Sequence, residues 1–275
     1  MKPLRDMDDR ALAHCVAVLT DIDDTLTTDG RLPAAAYQAL EKLAQAGLAV
    51  VPITGRPAGW CDMIARFWPV AGVVGENGAF YFSYDRDARV MRQKFFATGE
   101  ERLANRAKLE ALRERILREV PGAGIASDQL YREADLAIDF CEDVPPLPED
   151  QVQRILDIFA EAGAVAKLSS IHVNGWFGNY DKLSMTRIFV KDILGLDIDR
   201  EGDRIVFAGD SPNDGPMFGF FANSCGVANV RDFDPASFNP PAYVADAEGG
   251  GGFVQIAERI LDARGTVLKS ELNHA

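Results

Sequence analysis

Short apolar runs alternate along this chain with longer stretches in which apolar residues recur every three or four positions. Val16-Ala17-Val18-Leu19, Leu48-Ala49-Val50-Val51-Pro52-Ile53, Ala71–Val74 and Arg204-Ile205-Val206-Phe207-Ala208 each read as a strand buried on both faces, the mark of a parallel sheet. Pro33 and Gly47 bracket a helix around Ala34–Ala46, and Pro57 opens another that ends before Pro69. Strands alternating with helices in this way predict an α/β fold with a doubly wound, Rossmann-like parallel sheet. Gly226-Val227-Ala228 and Ala242-Tyr243-Val244 add late strands, followed by a last helix from Phe253 to about Asp262. The glycine run Gly249–Gly252 reads as a flexible loop before that helix, with anion binding as the alternative.

From about Ser83 the pattern changes. Asp85-Arg86-Asp87-Ala88-Arg89 resembles a turn between antiparallel strands Tyr81–Tyr84 and Val90–Phe95. Thr98 and Glu101 form a capping box for a helix that Pro121-Gly122 ends, with Leu109, Leu112, Ile116 and Val120 on its apolar face. Leu136–Phe140, Val165–Leu168 and Ile171–Phe177 read as strands, and a helix after Pro148 carries Val152, Ile155, Leu156 and Phe159 on one side. The reading is an α+β insert over 83–178, of domain size, within a core made of 1–82 and 179–275.

Composition narrows the field. At 275 residues, 47% hydrophobic and 26% charged, the chain is an ordinary soluble globular protein. Its net charge of −13 argues against nucleic acid and against an anionic membrane as partners. Cys15, Cys61, Cys141 and Cys225 are widely spaced, so reduced thiols are expected rather than a disulfide or zinc framework. With no signal-peptide pattern and no apolar stretch of membrane-spanning length, the expected location is the cytoplasm.

Polar residues gather where the strands stop, and in open α/β sheets ligands bind beyond the carboxyl ends of strands. Asp21-Ile22-Asp23-Asp24-Thr25 follows the first run; alternation points Asp21 and Asp23 the same way and Ile22 toward the core. Two carboxylates so crowded repel unless a cation or a shared proton compensates them. Taken alone, the segment reads as a solvated turn whose Asp24 or Thr25 caps a helix. Thr54-Gly55-Arg56-Pro57 follows the second run, and Gly209-Asp210-Ser211-Pro212-Asn213-Asp214 a late one. Lys182 opens an apparent helix to about Leu194. A Thr-Gly pair can hold a phosphate oxygen with a hydroxyl and a backbone N–H, lysine adds a compact positive charge, and carboxylates suit Mg²⁺. Each piece has an ordinary reading as a turn or a solvated residue; their order and placement together carry the chemistry.

In that order the pieces resemble the haloacid dehalogenase superfamily of aspartyl-phosphate phosphatases, whose pattern is Asp-x-Asp-x-Thr, then Thr/Ser, then Lys, then Gly-Asp-x-x-x-Asp. Asp21, Asp23, Thr25, Thr54, Lys182, Asp210 and Asp214 each match one position. The layout is similar to the Cof-type (IIB) subfamily, which inserts a large cap between the second and third motifs and includes sucrose-phosphate and mannosyl-3-phosphoglycerate phosphatases. Gly75-Glu76-Asn77-Gly78 is similar to that subfamily's Asn-Gly turn, whereas Asp24 departs from it, many members carrying Gly there.

The resemblance implies a Mg²⁺-dependent phosphatase of a small phosphomonoester, such as a sugar phosphate. It makes Asp21 the nucleophile and Asp23 the general acid and then base. It puts Asp21, Asp23 (through its backbone carbonyl) and Asp210 on the metal, with Asp214 and Asn213 ordering Lys182 and metal-bound water. Thr54, Gly55 and Lys182 would hold the phosphate. Arg56 either bonds the sheet end or touches substrate, and Asn77 is a further substrate contact. His172, Asn174 and Trp176 share one strand face and are candidates for reading the leaving group, against the alternative of packing. The partner is then a small phosphorylated metabolite, and the protein a monomer or small homo-oligomer. Two alternatives stay open: a phosphomutase, and a non-catalytic phospho-receiver, in which the acid-base role of Asp23 and a large cap would have no purpose.

Overall fold

In the computed structural model, which describes residues 1–169 and 171–272, the apolar runs build a parallel sheet. The chain enters through β1 (Lys2–Pro3), β2 (Ala17–Thr20) and β3 (Ala49–Pro52), and returns late through β11 (Ile205–Gly209), β12 (Asn223–Gly226) and β13 (Tyr243–Val244). Between them lie β4 (Val73–Gly75), β5 (Phe80–Asp85), β6 (Val90–Phe95), β7 (Gly124–Ile125), β8 (Asp135–Asp139), β9 (Val165–Leu168) and β10 (His172–Trp176). The main sheet has the order β1-β13-β12-β11-β2-β3, and every pair in it is parallel.

Alternation along β2 divides two cores. Val18 joins Leu40, Leu43, Phe253, Ile256 and Ile260 on one face, where helices Ala34–Gln45 and Gly249–Leu272 pack. Ala17 and Leu19 join Phe207, Met185, Phe189 and Met217 on the other, beneath helices Lys182–Phe189 and Gly215–Phe220. Covering both faces is what permits uniformly apolar strands. No disulfide joins the cysteines, and no helix is long and apolar enough to cross a membrane, among the described residues.

The insert begins later than its first strand suggests. β5 and β6 form a hairpin, but β5 pairs with β4, and β4 touches β3 through Ile53 and Val74. Phe80 and Phe82 stack in the core cluster with Phe95 beside them, so 83–95 is an extension of the core. A boundary at 83 falls inside β5 because the hairpin's inward aromatics find their partners in the core. A separate apolar centre starts only with helix Gly99–Glu119, capped by the Thr98–Glu101 box. There Leu109, Leu112 and Ile116 pack on Leu136, Ile138 and Val173 of the sheet β7-β8-β10-β9 and on Ile155 and Phe159 of helix Glu149–Glu161. The opposite face of this sheet carries Asp135, Asp139, His172 and Asn174, all buried.

The glycine run also differs from expectation. Gly249–Gly252 form the first turn of the last helix, where a Cβ on Gly250 would come within 2.7 Å of the Leu26 carbonyl and one on Gly252 within 2.3 Å of the Ala247 carbonyl. Close backbone approach explains the glycines, which let the helix start against the loop that follows Asp21.

Candidate functional site

Asp21, Thr54 and Asp210 lie just past the carboxyl ends of β2, β3 and β11, at one edge of the sheet. Lys182 reaches the same edge from the first turn of its helix, which Asp181 caps in a box with Ser184. The Lys182 Nζ donates to Asp21 Oδ1 at 2.7 Å and to Asp214 Oδ1 at 2.8 Å. The other Asp214 oxygen accepts the Asp210 N–H at 3.1 Å, and the Thr25 hydroxyl donates to Asp210 Oδ1 at 3.2 Å. Asp214 tucks beneath the strand end because Gly209 lacks a Cβ, which would sit 2.3 Å from its carboxylate.

Three carboxylates and one ammonium are buried here, and the surplus negative charge shows in their proton affinities. Burial, then repulsion from Asp214 and Asp21, pushes Asp210 up to about 9. Burial likewise raises Asp21 against the attraction of Lys182. Burial works against the Lys182 ammonium, but Asp21 and Asp214 outweigh it and keep the lysine charged. Oxygens of Asp21, Asp210 and Asp214 lie within 4.8 Å of one another, a hard-oxygen set that fits Mg²⁺. Asp214 has both oxygens committed, so Asp21 and Asp210 have the more available oxygens.

The Asp23 carboxylate is not in that cluster. The chain leaves extended geometry after Thr20 and turns through 23–26, with Asp24 at φ 56°. Glycine adopts such a left-handed backbone most freely, and Asp is among the residues that tolerate it. Asp23 instead faces Arg56, whose Nε and Nη2 reach Asp23 Oδ1 at 3.0 and 2.6 Å, and whose guanidinium lies 4.6 Å from the Trp60 ring. Arg56 is thus an ion-pair partner of Asp23 rather than a bond to the sheet end.

The Thr54-Gly55 turn is held by Thr54 Oγ1, which accepts the Arg56 N–H, and by Asn77, whose N–H donates to the Thr54 carbonyl. Asn77 is left-handed at φ 54° and its amide covers Gly55, where a Cβ would approach within 3.2 Å. A cavity of about 600 Å³ opens above, lined on the core side by Asp21, Asp23, Gly55, Arg56, Asn77, Asp210 and Asn213. The insert closes it with Arg132, Lys167, His172 and Asn174. His172 Nε2 lies 2.9 Å from Glu142, and burial lowers the imidazole against that carboxylate's pull. Asn174 donates to Asp135 at 3.1 Å. Trp176, on the same strand face, does not reach the cavity: it stacks on Tyr180 in the core cluster, so packing is its role.

Sequence reasoning missed Glu76 and Arg132. Fully buried Glu76 accepts N–H bonds from Ala58 (3.0 Å), Glu133 (2.8 Å), Ala134 (2.6 Å) and Asp135 (3.2 Å). Arg132 bonds Asp128 and Asp135 and donates to the Gly55 carbonyl at 3.0 Å. The signal available was an acidic residue inside a turn directly after an apolar strand; nothing near Arg132 in sequence marks it.

Residues 18–105 match the family model of haloacid dehalogenase-like hydrolases. Among solved structures, one from Thermoplasma acidophilum (0175) is similar with a TM-score of 0.70 at 20% identity, over 90% of this chain and 98% of that one. BT1666 from Bacteroides thetaiotaomicron, one of the phosphatases of the HAD enzyme superfamily, is similar with a TM-score of 0.60 at 18% identity, over 90% and 96%. The sucrose-phosphatase from Synechocystis sp. is similar with a TM-score of 0.58 at 15% identity, over 89% and 97%. No curated protein matches the chain significantly. At these identities the structural likeness concerns the fold, which is shared across nearly the whole chain. The family match is confined to residues 18–105, and the likeness beyond them is one of fold.

Proposed function

We propose that this protein is a Mg²⁺-dependent phosphatase of a small phosphomonoester, a sugar phosphate by preference, acting through an aspartyl-phosphate. The observation that carries the reading is Lys182 bridging buried Asp21 and Asp214, with Asp21 itself lining the cavity. Lys182 aligns one oxygen of Asp21 and leaves the other for attack on phosphorus, while the Gly55 N–H, Thr54 and Lys182 receive the phosphate oxygens. Asp23, on the same loop, gives a proton to the leaving oxygen and takes one from the water that hydrolyses the intermediate; Arg56 holds it until then. Asp21 and Asp210, with the Asp23 carbonyl, would hold Mg²⁺, which when bound offsets charge on the transferring group. The insert acts as a cap from Thr98 to Phe177, excluding water and presenting His172, Asn174 and Lys167 to the leaving group. Acidic overall charge is compatible with an anionic substrate because Lys182, Arg56 and the cation set the local field.

Phosphate release from an aryl phosphate and from a panel of sugar phosphates tests this. Wild type is expected to release phosphate with Mg²⁺, and Asp21→Asn to fold normally with less than about a hundredth of wild-type kcat. Transfer of phosphate to a second sugar hydroxyl without release would make the enzyme a mutase; no turnover of any phosphomonoester would end the reading.

A further inference from the structure

Helix Ala58–Phe67 buries Ala58, Cys61, Ile64 and Ala65 and turns Trp60, Met63 and Phe67 to solvent, three apolar residues at spacings of three and four. A solvent face of this kind is normally polar. The cap extends the stripe: the turn Gln129–Tyr131 lies on the helix at Gly59, where an added Cβ would come within 2.9 Å of Tyr131 Cβ. That turn displays Leu130 at 93% exposure and Tyr131 at 59%, and the helix displays Phe67 at 73% and Trp60 and Met63 at 41% each. Together they expose on the order of 600 Å² of mostly apolar surface, at the upper edge of what a monomer shows.

We propose that this face is the interface of a homodimer, with a two-fold axis passing beside helix Ala58–Phe67. The area points to a second copy: with a polar rim it approaches the ~800 Å² that each partner gives to a standard interface. The rim is also self-complementary. Asp62 and Arg66, 2.8 Å apart within one copy and both 41% exposed, flank the stripe on the same helix. Antiparallel pairing of the helix with its copy brings each Arg66 against the other copy's Asp62, as a two-fold requires. Aromatic and methionine side chains at the centre, with charges at the edge, match the make-up of interface cores.

The patch takes Trp60, Met63 and Phe67 from the core and Leu130 and Tyr131 from the cap, so a partner would bind both halves of one copy at once. Association therefore favours the docked cap. It also reaches the catalytic loop in one step, since the Trp60 ring packs on Arg56 and Arg56 on Asp23.

Sedimentation velocity from about 1 to about 100 µM protein tests the proposal. Wild type is expected to move from the 30.0 kDa chain toward twice that mass as concentration rises. Phe67→Glu and Leu130→Glu, both at exposed positions, should keep the wild-type circular dichroism and remain monomeric. Asp62→Arg should be monomeric too, by like-charge contact with Arg66, and adding Arg66→Asp should restore the dimer. A monomer at every concentration, a dimer that survives both glutamate variants, or a charge-swapped double variant that stays monomeric overturns the proposal.

Discussion

Without the Lys182 ammonium, Asp21 and Asp214 would face each other in a pocket that burial has stripped of water. One donor, reaching both at 2.7 and 2.8 Å, makes that proximity tolerable and fixes which oxygen of each is used. Lys182→Ala is therefore expected to be doubly costly. Urea denaturation of the metal-free protein should show a loss of about 3–5 kcal/mol, as when one partner of a buried pair is removed. Turnover should fall for every phosphomonoester alike, since the lost charge serves the phosphate and not the leaving group. A variant as stable as wild type, or one impaired on sugar phosphates alone, would contradict this placement. Asp24, Glu76 and Asn77 show the same economy in the backbone: each is left-handed, at φ 56°, 43° and 54°, and each holds a turn that borders the cavity.

Elements were far more legible in the sequence than the contacts between them. β2, β3 and β11 could be read from apolar runs, and the Gly99–Glu119 helix from its capping box, because these signals are local. The acidic cluster was legible for a related reason, since strand ends share one edge whatever the rest of the chain does. Three features were not. Trp176 keeps the alternation of β10 yet packs on Tyr180, because the far end of that strand lies over the core and not the cavity. The hairpin 80–95 has the look of a new domain, but Phe80, Phe82 and Phe95 face the old one. Glu76 makes its bonds to Glu133, Ala134 and Asp135, more than fifty residues away. That carboxylate is the seam between β4 and the start of β8. Glu76→Ala would strand four N–H groups at once, those of Ala58 and Asp135 buried and those of Glu133 and Ala134 part-buried, and should destabilise the protein by several kcal/mol, at about 1–3 kcal/mol per buried unsatisfied group. Hydrogen exchange should show lost protection at 133–135 before any change in β2 or β11. Uniform loss of protection would mean that Glu76 supports the core rather than the seam.

For the molecule as a whole, the acidic floor links cation binding to stability. A ligand that binds only the folded state raises its stability in proportion to the logarithm of its concentration. Mg²⁺ is therefore expected to raise Tm progressively in the millimolar range, by about 4–8 °C at most, and Asp210→Asn to abolish most of the rise while leaving the fold intact. The readout is independent of turnover. An equal rise in wild type and variant would place the cation elsewhere.

The sheet order has a consequence for how the chain is made. β2 is hydrogen-bonded to β3, which follows it closely, and to β11, which begins at Ile205. β1 waits longer still, for β13 at Tyr243–Val244. A growing chain thus exposes the β2 edge, with Asp21 at its tip, through the synthesis of the entire cap, whose own apolar centre closes between Leu109 and Val173. The insert's apolar centre is complete in sequence by Val173, whereas the sheet edge that carries Asp21 is completed only when β11 follows. The insertion is therefore written out in full before the sheet it interrupts.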